Sequence, residues 1–157
     1  MADAARDRFL AIALDLGVEP DIRTFPDGTR TAADAAAAVG CDVEAIVKSL
    51  LFVADDDPVL ALTSGTHRVD EARLAAHLGA TTVRKATADE VREVTGFAIG
   101  GTHPFAARTA GIRCLVDPHL LALDEVWAAA GTPMDVWPLD PALLVDVAGA
   151  EAVDVTA

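Results

Sequence analysis

The sequence predicts an α/β domain built on a mixed sheet, and three observations carry that prediction. Segments with a helical apolar period alternate along the chain with short β-rich runs. The runs Leu50 to Ala54 and Val59 to Thr63 flank the turn Asp55-Asp56-Asp57-Pro58 and read as a hairpin, which rules out an all-parallel sheet. With 157 residues, 52% of them hydrophobic, the chain can bury one sizeable core, so a single domain over residues 1–157 is expected.

Each element has a local reason. Phe9, Leu10, Ile12, Ala13 and Leu16 share one side of a helix over 3–16 that Gly17 ends, and a short strand is expected from Ile22 to Phe25. Thr31 caps a helix through Val39 that Gly40 closes. Asp42 is expected to cap a second helix carrying Val43, Ile46 and Val47, which leaves Lys48 at a helix-to-strand junction before the hairpin. Ser64 to Asp70 reads as a polar loop, and Ala72, Leu74, Ala75 and Leu78 mark a helix stopped by Gly79. A strand follows at Thr81 to Arg84. Thr87-Ala88-Asp89-Glu90 is a capping box, opening a helix to about Val94. Gly96, Gly100, Gly101 and Pro104 then interrupt regular structure before a β-rich run from Ile112 to Val116. Periodicity makes Pro118 to Ala130 one helix, although Glu125 to Ala129 could equally be a strand. Met134 to Trp137 reads as a strand, Asp140-Pro141 opens a helix to about Val147, and Ala152 to Val155 forms a last strand.

The formal net charge of -13 argues against extensive nucleic-acid binding, because phosphate contacts need clustered Lys and Arg. Only a small local contact with a polyanion fits, and DNA is not an expected partner. The acidic, lysine-poor composition suits a high-salt cytoplasm or a GC-rich genome. Met1 to Arg8 lacks the basic and apolar regions of a signal, and no apolar run reaches membrane-spanning length, so a cytoplasmic protein without a membrane partner is expected. Cys41 and Cys114 form no CxxC or zinc pattern, and His67, His77, His103 and His119 show no ligand spacing, so neither a metal nor a cofactor is expected.

Lys48 is the leading chemical candidate. The chain has ten arginines and only two lysines, Lys48 and Lys85, and one of those lies in the apolar stretch Ala45-Ile46-Val47-Lys48-Ser49-Leu50-Leu51-Phe52-Val53. A buried ammonium needs an anionic or carbonyl partner or a cleft, whereas the competing reading is a lysine reaching from a helix end to water. The second signal is Gly96-Phe97-Ala98-Ile99-Gly100-Gly101-Thr102-His103-Pro104-Phe105-Ala106, which has neither dinucleotide-fingerprint nor P-loop spacing. Such a loop can bring backbone groups close to a ligand, or simply connect two elements tightly.

The ordered set Val47-Lys48-Ser49-Leu50, Ser64-Gly65-x-x-Arg68-Val69-Asp70, Thr95-Gly96-Phe97-Ala98-Ile99-Gly100-Gly101-x-x-Pro104-Phe105, Val116-Asp117 and Val126-Trp127-Ala128-Ala129-Ala130-Gly131 resembles the YbaK/EbsC-type aminoacyl-tRNA deacylases. These are free-standing relatives of the editing domain inserted in bacterial prolyl-tRNA synthetases, of the Cys-tRNA(Pro) or Ala-tRNA(Pro) deacylase type. The resemblance spans about residues 20 to 155. It implies a strongly curved, barrel-like mixed sheet surrounded by helices, with a turn and a strand in place of a long helix at 118–130. It also implies a catalytic Lys48 and a substrate pocket formed by Gly65, Gly100, Gly101, Thr102, His103, Pro104 and Phe105. Ala106 departs from the glycine common in the family and could change the shape of that pocket.

Ester hydrolysis suits these residues, since an ammonium and aligned amides can stabilise an oxyanion without metal or cofactor. The implied activity is trans-acting hydrolysis of mischarged tRNA of the tRNA(Pro) type, with the aminoacyl-tRNA acceptor end as partner and prolyl-tRNA synthetase as a second one. Arg68, Arg84, Lys85 and Arg108 are candidates for a basic entrance beside Lys48. The alternative is a non-catalytic module that keeps the pocket for an amino acid, a nucleotide or a partner synthetase. Cys41 as a thiol nucleophile lacks an activating pattern, Trp127 and Trp137 read as core, and Asp70 and Asp117 read as turn or cap residues rather than general bases.

Overall fold

The computed structural model describes residues 2–157 and places its strands in two sheets. Helix α1 (Ala2–Asp15) leads to β1 (Arg23–Thr24) and α2 (Ala32–Val39). The hairpin is β2 (Val47–Ala54) and β3 (Asp57–Ser64), followed by α3 (Glu71–Leu78), β4 (Val83–Lys85) and α4 (Ala88–Thr95). Then come α5 (Ala106–Ala110), β5 (Arg113–Val116), α6 (Pro118–Leu121), β6 (Val126–Ala129), β7 (Asp135–Leu139), α7 (Leu143–Asp146) and β8 (Glu151–Ala152). None of the described helices is long and apolar enough to cross a membrane.

The larger sheet has the order β4-β2-β3-β5-β8 and is mixed, with β2 antiparallel to β3 and β4, and β3 and β8 parallel to β5. The smaller sheet has the order β1-β7-β6, all antiparallel. The two meet at a single parallel bridge between Ile46 and Trp127 rather than closing into a barrel, so the barrel-like expectation is replaced by two sheets facing a common core. That core gathers Phe9 from α1, Leu51, Leu60 and Leu62 from the hairpin, and Phe105, Trp137 and Leu144 from later elements.

The local caps form as their chemistry requires. Thr31 accepts from the Asp34 amide, Thr87 and Glu90 complete the capping box, and Asp70 accepts from the Ala72 and Arg73 amides. The hairpin turn puts Asp55 and Asp56 at positive φ, and the Asp55 carboxylate accepts from the Thr81 and Thr82 amides, tying the turn to the approach to β4.

Four expectations shift. The helix after Asp42 is only a 3-10 turn at Val43–Ala45, because Asp42 makes no side-chain cap and the β-branched Ile46 and Val47 are already extended; Lys48 is therefore the second residue of a strand. The segment 118–130 divides into α6, capped by Asp117 with Pro118 in its first turn, and strand β6. A five-residue helix at Ala106–Ala110 appears where irregular chain was expected. The last strand is shortened and displaced to Glu151–Ala152.

Candidate functional site

The register of β2 creates the site. Its ladder to β4 begins only at Phe52, so among the described strands none pairs with the outer edge of Val47 to Leu50. That edge faces a cavity of about 320 Å³. It is also lined by Trp127, Ala128 and Ala129 of β6, by Val136 of β7, by Thr29 to Ala32 and by Ile99, Gly100 and Thr102. Among the described residues no Asp or Glu lines this cavity, although the chain carries 25 acidic residues. Its cations are Lys48 and Arg30.

Two polar side chains in β2 matter. Strand alternation sets Ser49 on the core side between Val47 and Leu51, and its Oγ is buried with no hydrogen-bond partner among the described residues. A buried hydroxyl without a partner is costly, but the Ser49 Oγ is closed off from solvent, so it is an interior polar group rather than an open face of the cavity. Lys48 lines the same cavity, half-buried, and its ammonium donates to the His67 carbonyl. Burial lowers the Lys48 pKa, with the nearby charges of Arg68 and Lys85 adding to the effect and Asp117 opposing it.

The profile of the aminoacyl-tRNA editing domain matches residues 26–147. The chain belongs to that family. Its curated relatives include the proline–tRNA ligase of Nitratidesulfovibrio vulgaris (strain DP4), 31% identical over 121 residues, which are 77% of this chain and 21% of the ligase. The proline–tRNA ligase of Streptococcus thermophilus (strain ATCC BAA-491 / LMD-9) is 39% identical over 82 residues, 52% of this chain and 13% of the ligase. The chain thus spans about a fifth or less of the length of these ligases. Among solved structures, a candidate trans-editing enzyme for prolyl tRNA synthetase superposes with a TM-score of 0.87 at 40% identity, covering 97% of each chain. An epitope-presenting scaffold protein superposes with a TM-score of 0.89 at 33% identity, covering 98% of this chain and 97% of its own.

Within this editing domain, the expected site residues separate into groups. Lys48, Gly100 and Thr102 line the cavity together; Gly65, Gly101, His103, Pro104 and Phe105 do not. Gly65 packs against the 3-10 turn, where an added Cβ would lie 2.3 Å from the Val43 carbonyl oxygen. Gly101 is required by the chain itself: a Cβ there would lie 2.7 Å from the Gly131 carbonyl oxygen. That close packing accounts for a glycine at this position by itself. Phe105 and Ala106 are fully buried in the main core, so the Ala106 methyl fills protein interior rather than the cavity.

His103 is also a core residue. Its ring stands edge-on to Phe97 at 4.6 Å and 4.9 Å from Phe9, and its Nδ1 accepts from the Phe105 amide at 3.1 Å. Burial, reinforced by the Arg8 charge, pushes its pKa down to about 3, so it is neutral, and its ring sits in the core rather than on the cavity lining.

The four entrance candidates divide as well. Arg68 and Lys85 lie near enough to act on the Lys48 charge, and neither forms an ion pair among the described residues. Arg84 is held by a two-pronged contact with Glu90 at 2.8 and 2.9 Å, which also pulls the Glu90 carboxyl down to about 2. Arg108 donates to the Val147 carbonyl at 2.7 Å.

Sequence reasoning missed Ser49 and Arg30. The signal for Ser49 was strand alternation, hidden by the expected helix over 42–47. Cys41 and Cys114 are free, with burial raising both thiols and pushing Cys114 up to about 12, which disfavours a thiolate nucleophile.

Proposed function

We propose that this editing domain acts in trans, in the cytoplasm, to hydrolyse the ester linking a wrong amino acid to tRNA(Pro), with Lys48 as the catalytic residue. The observation that carries the reading is the cavity along the open edge of β2, lined by Lys48 and, among the described residues, by no Asp or Glu. Family membership and likeness to proline–tRNA ligases and to a candidate trans-editing enzyme for prolyl tRNA synthetase support the substrate class.

In this reading water attacks the ester carbonyl carbon, negative charge collects on the carbonyl oxygen, and the C–O bond breaks to release the amino acid and the terminal ribose hydroxyl. The Lys48 ammonium stabilises the developing charge, and the low-dielectric walls of Ile46, Trp127 and Val136 strengthen that interaction. Arg68 and Lys85 receive the acceptor-end phosphates, a footprint small enough for a chain of net charge -13. A second, hydrolytic site is the usual remedy where a synthetic pocket discriminates weakly between small amino acids.

The test is deacylation of a panel of mischarged tRNAs at saturating protein. Release of amino acid from a mischarged tRNA(Pro), with slower action on correctly charged tRNAs, is expected. Binding without hydrolysis across the whole panel would instead make the domain a non-catalytic binding module.

A further inference from the structure

Asp117 is the least accounted-for group near the site. Capping α6 uses only its Oδ1, which accepts from the His119 amide at 3.0 Å. Its Oδ2 accepts from the Ser64 amide at 3.2 Å and from His67 Nδ1 at 2.6 Å. Because a carboxylate only accepts, the Nδ1 of His67 carries the proton in that contact. Ser64 is the last residue of β3 and His67 lies in the loop that follows it, joined by the His67 amide donating to the Ser64 carbonyl at 2.9 Å. The same loop presents the His67 carbonyl that receives the Lys48 ammonium.

We propose that Asp117 is a positioning residue for Lys48: by clamping both Ser64 and the His67 ring, it fixes the carbonyl that aims the ammonium. The inference rests on the reading of Lys48 as the catalytic group. Two effects follow from one carboxylate, and they act at different ranges. The clamp is geometric and passes through the His67 backbone. The charge acts through space: Arg68 and Lys85 oppose the ammonium, whereas Asp117 favours it.

The surroundings are specific enough to predict from. Against Asp117 stand His67 and, through ring contact at 4.8 Å, His119, which in turn meets Glu44 at 2.9 Å from the 3-10 turn; Asp154 faces His67 from the chain after β8. Ser64 Oγ donates to the Glu44 carbonyl at 2.8 Å, so the network joins the turn before β2 to the loop after β3. Both flank the strand that carries Lys48.

The experiment uses the fact that the chain has two lysines. Lysine-selective labelling gives two side-chain NMR signals, assigned with Lys85→Arg, so Lys48 can be titrated directly in the full chain. Asp117→Asn retains an acceptor for the His119 amide but removes the charge. It is expected to lower the Lys48 pKa, to move the basic limb of the deacylation profile to lower pH, and to reduce kcat roughly ten- to a hundredfold with KM little changed. His67→Ala keeps the carbonyl and the Asp117 charge but releases the clamp, so kcat falls while the Lys48 pKa stays near parental. An Asp117→Asn protein with parental Lys48 titration and parental kcat overturns the proposal. Should Asp117→Asn fail to fold, His67→Ala decides, and parental kcat in that variant overturns it. Lys48→Ala separates the two readings: if it deacylates at the parental rate, the catalytic reading and the positioning role fall together, whereas an inactive Lys48→Ala beside a parental Asp117→Asn removes only the positioning role.

Discussion

Replacing His103 with Asn should flatten the acid side of the stability profile, and the size of the effect follows from its burial. The imidazole is fully inaccessible among Phe9, Phe97 and Phe105, with a pKa near 3 against 6.5 for the free side chain. Between those values the unfolded chain binds a proton that the folded chain refuses, so stability is intact above pH 6.5 and is lost as pH falls toward 3. At about 1.4 kcal/mol per pH unit, the loss is about 3 kcal/mol by pH 4.5 and up to about 5 kcal/mol below pH 3. Asn cannot titrate, yet its side-chain oxygen can still accept from the Phe105 amide two residues on. Its cost is a smaller ring volume, which is independent of pH. Urea unfolding of both proteins at pH 7.5 and 4.5 measures the difference, because the other titrating groups are common to both. The parent should lose about 3 kcal/mol more than the variant over that interval. Parallel losses would refute the reasoning and return His103 to a solvated, ligand-facing position.

Gly101→Val should lower the melting temperature and deacylation together, since its first added carbon meets the Gly131 and Thr132 backbone at 2.7 to 2.9 Å, a strain on the order of 1–3 kcal/mol; lost activity at an unchanged melting temperature would point to the cavity instead. Lys85→Ala should weaken use of tRNA and reduce a shallow salt slope, roughly one to three effective phosphates, by about one, leaving an aminoacyl-adenosine substrate unaffected. Arg84→Ala should change neither, because Glu90 already holds that guanidinium; equal effects of the two substitutions would contradict the division drawn between them.

What could be read from the sequence was what is decided locally. Thr31, Asp70 and the Thr87 to Glu90 box act within one helical turn, and the hairpin is set by its own turn residues, so these elements stand where the residues put them. The conflict at 42–47 went the other way because Asp42 does not cap and pairing with β3 captures Val47, a tertiary contact no local pattern encodes. The site followed the same division. Lys48 stood out by its chemistry in an apolar run. The inward turn of His103 depends on aromatic neighbours from α1 and from residues 97 and 105, and the pairing of Arg84 with Glu90 depends on how β4 meets α4, so a polar loop residue and a row of equal cations were all that the sequence displayed. Ser49 was invisible for a related reason, since its inward position follows from where β2 begins.

The measurement that bears most directly on the account is single-turnover hydrolysis of mischarged tRNA(Pro) by the parent, Lys48→Ala and Lys48→Arg, with melting temperatures taken on the same samples. A point ammonium and a planar guanidinium place charge differently. The account predicts rapid hydrolysis by the parent, none above background for Lys48→Ala, an impaired rate for Lys48→Arg, and closely similar melting temperatures for all three. Parental hydrolysis by Lys48→Ala would contradict it.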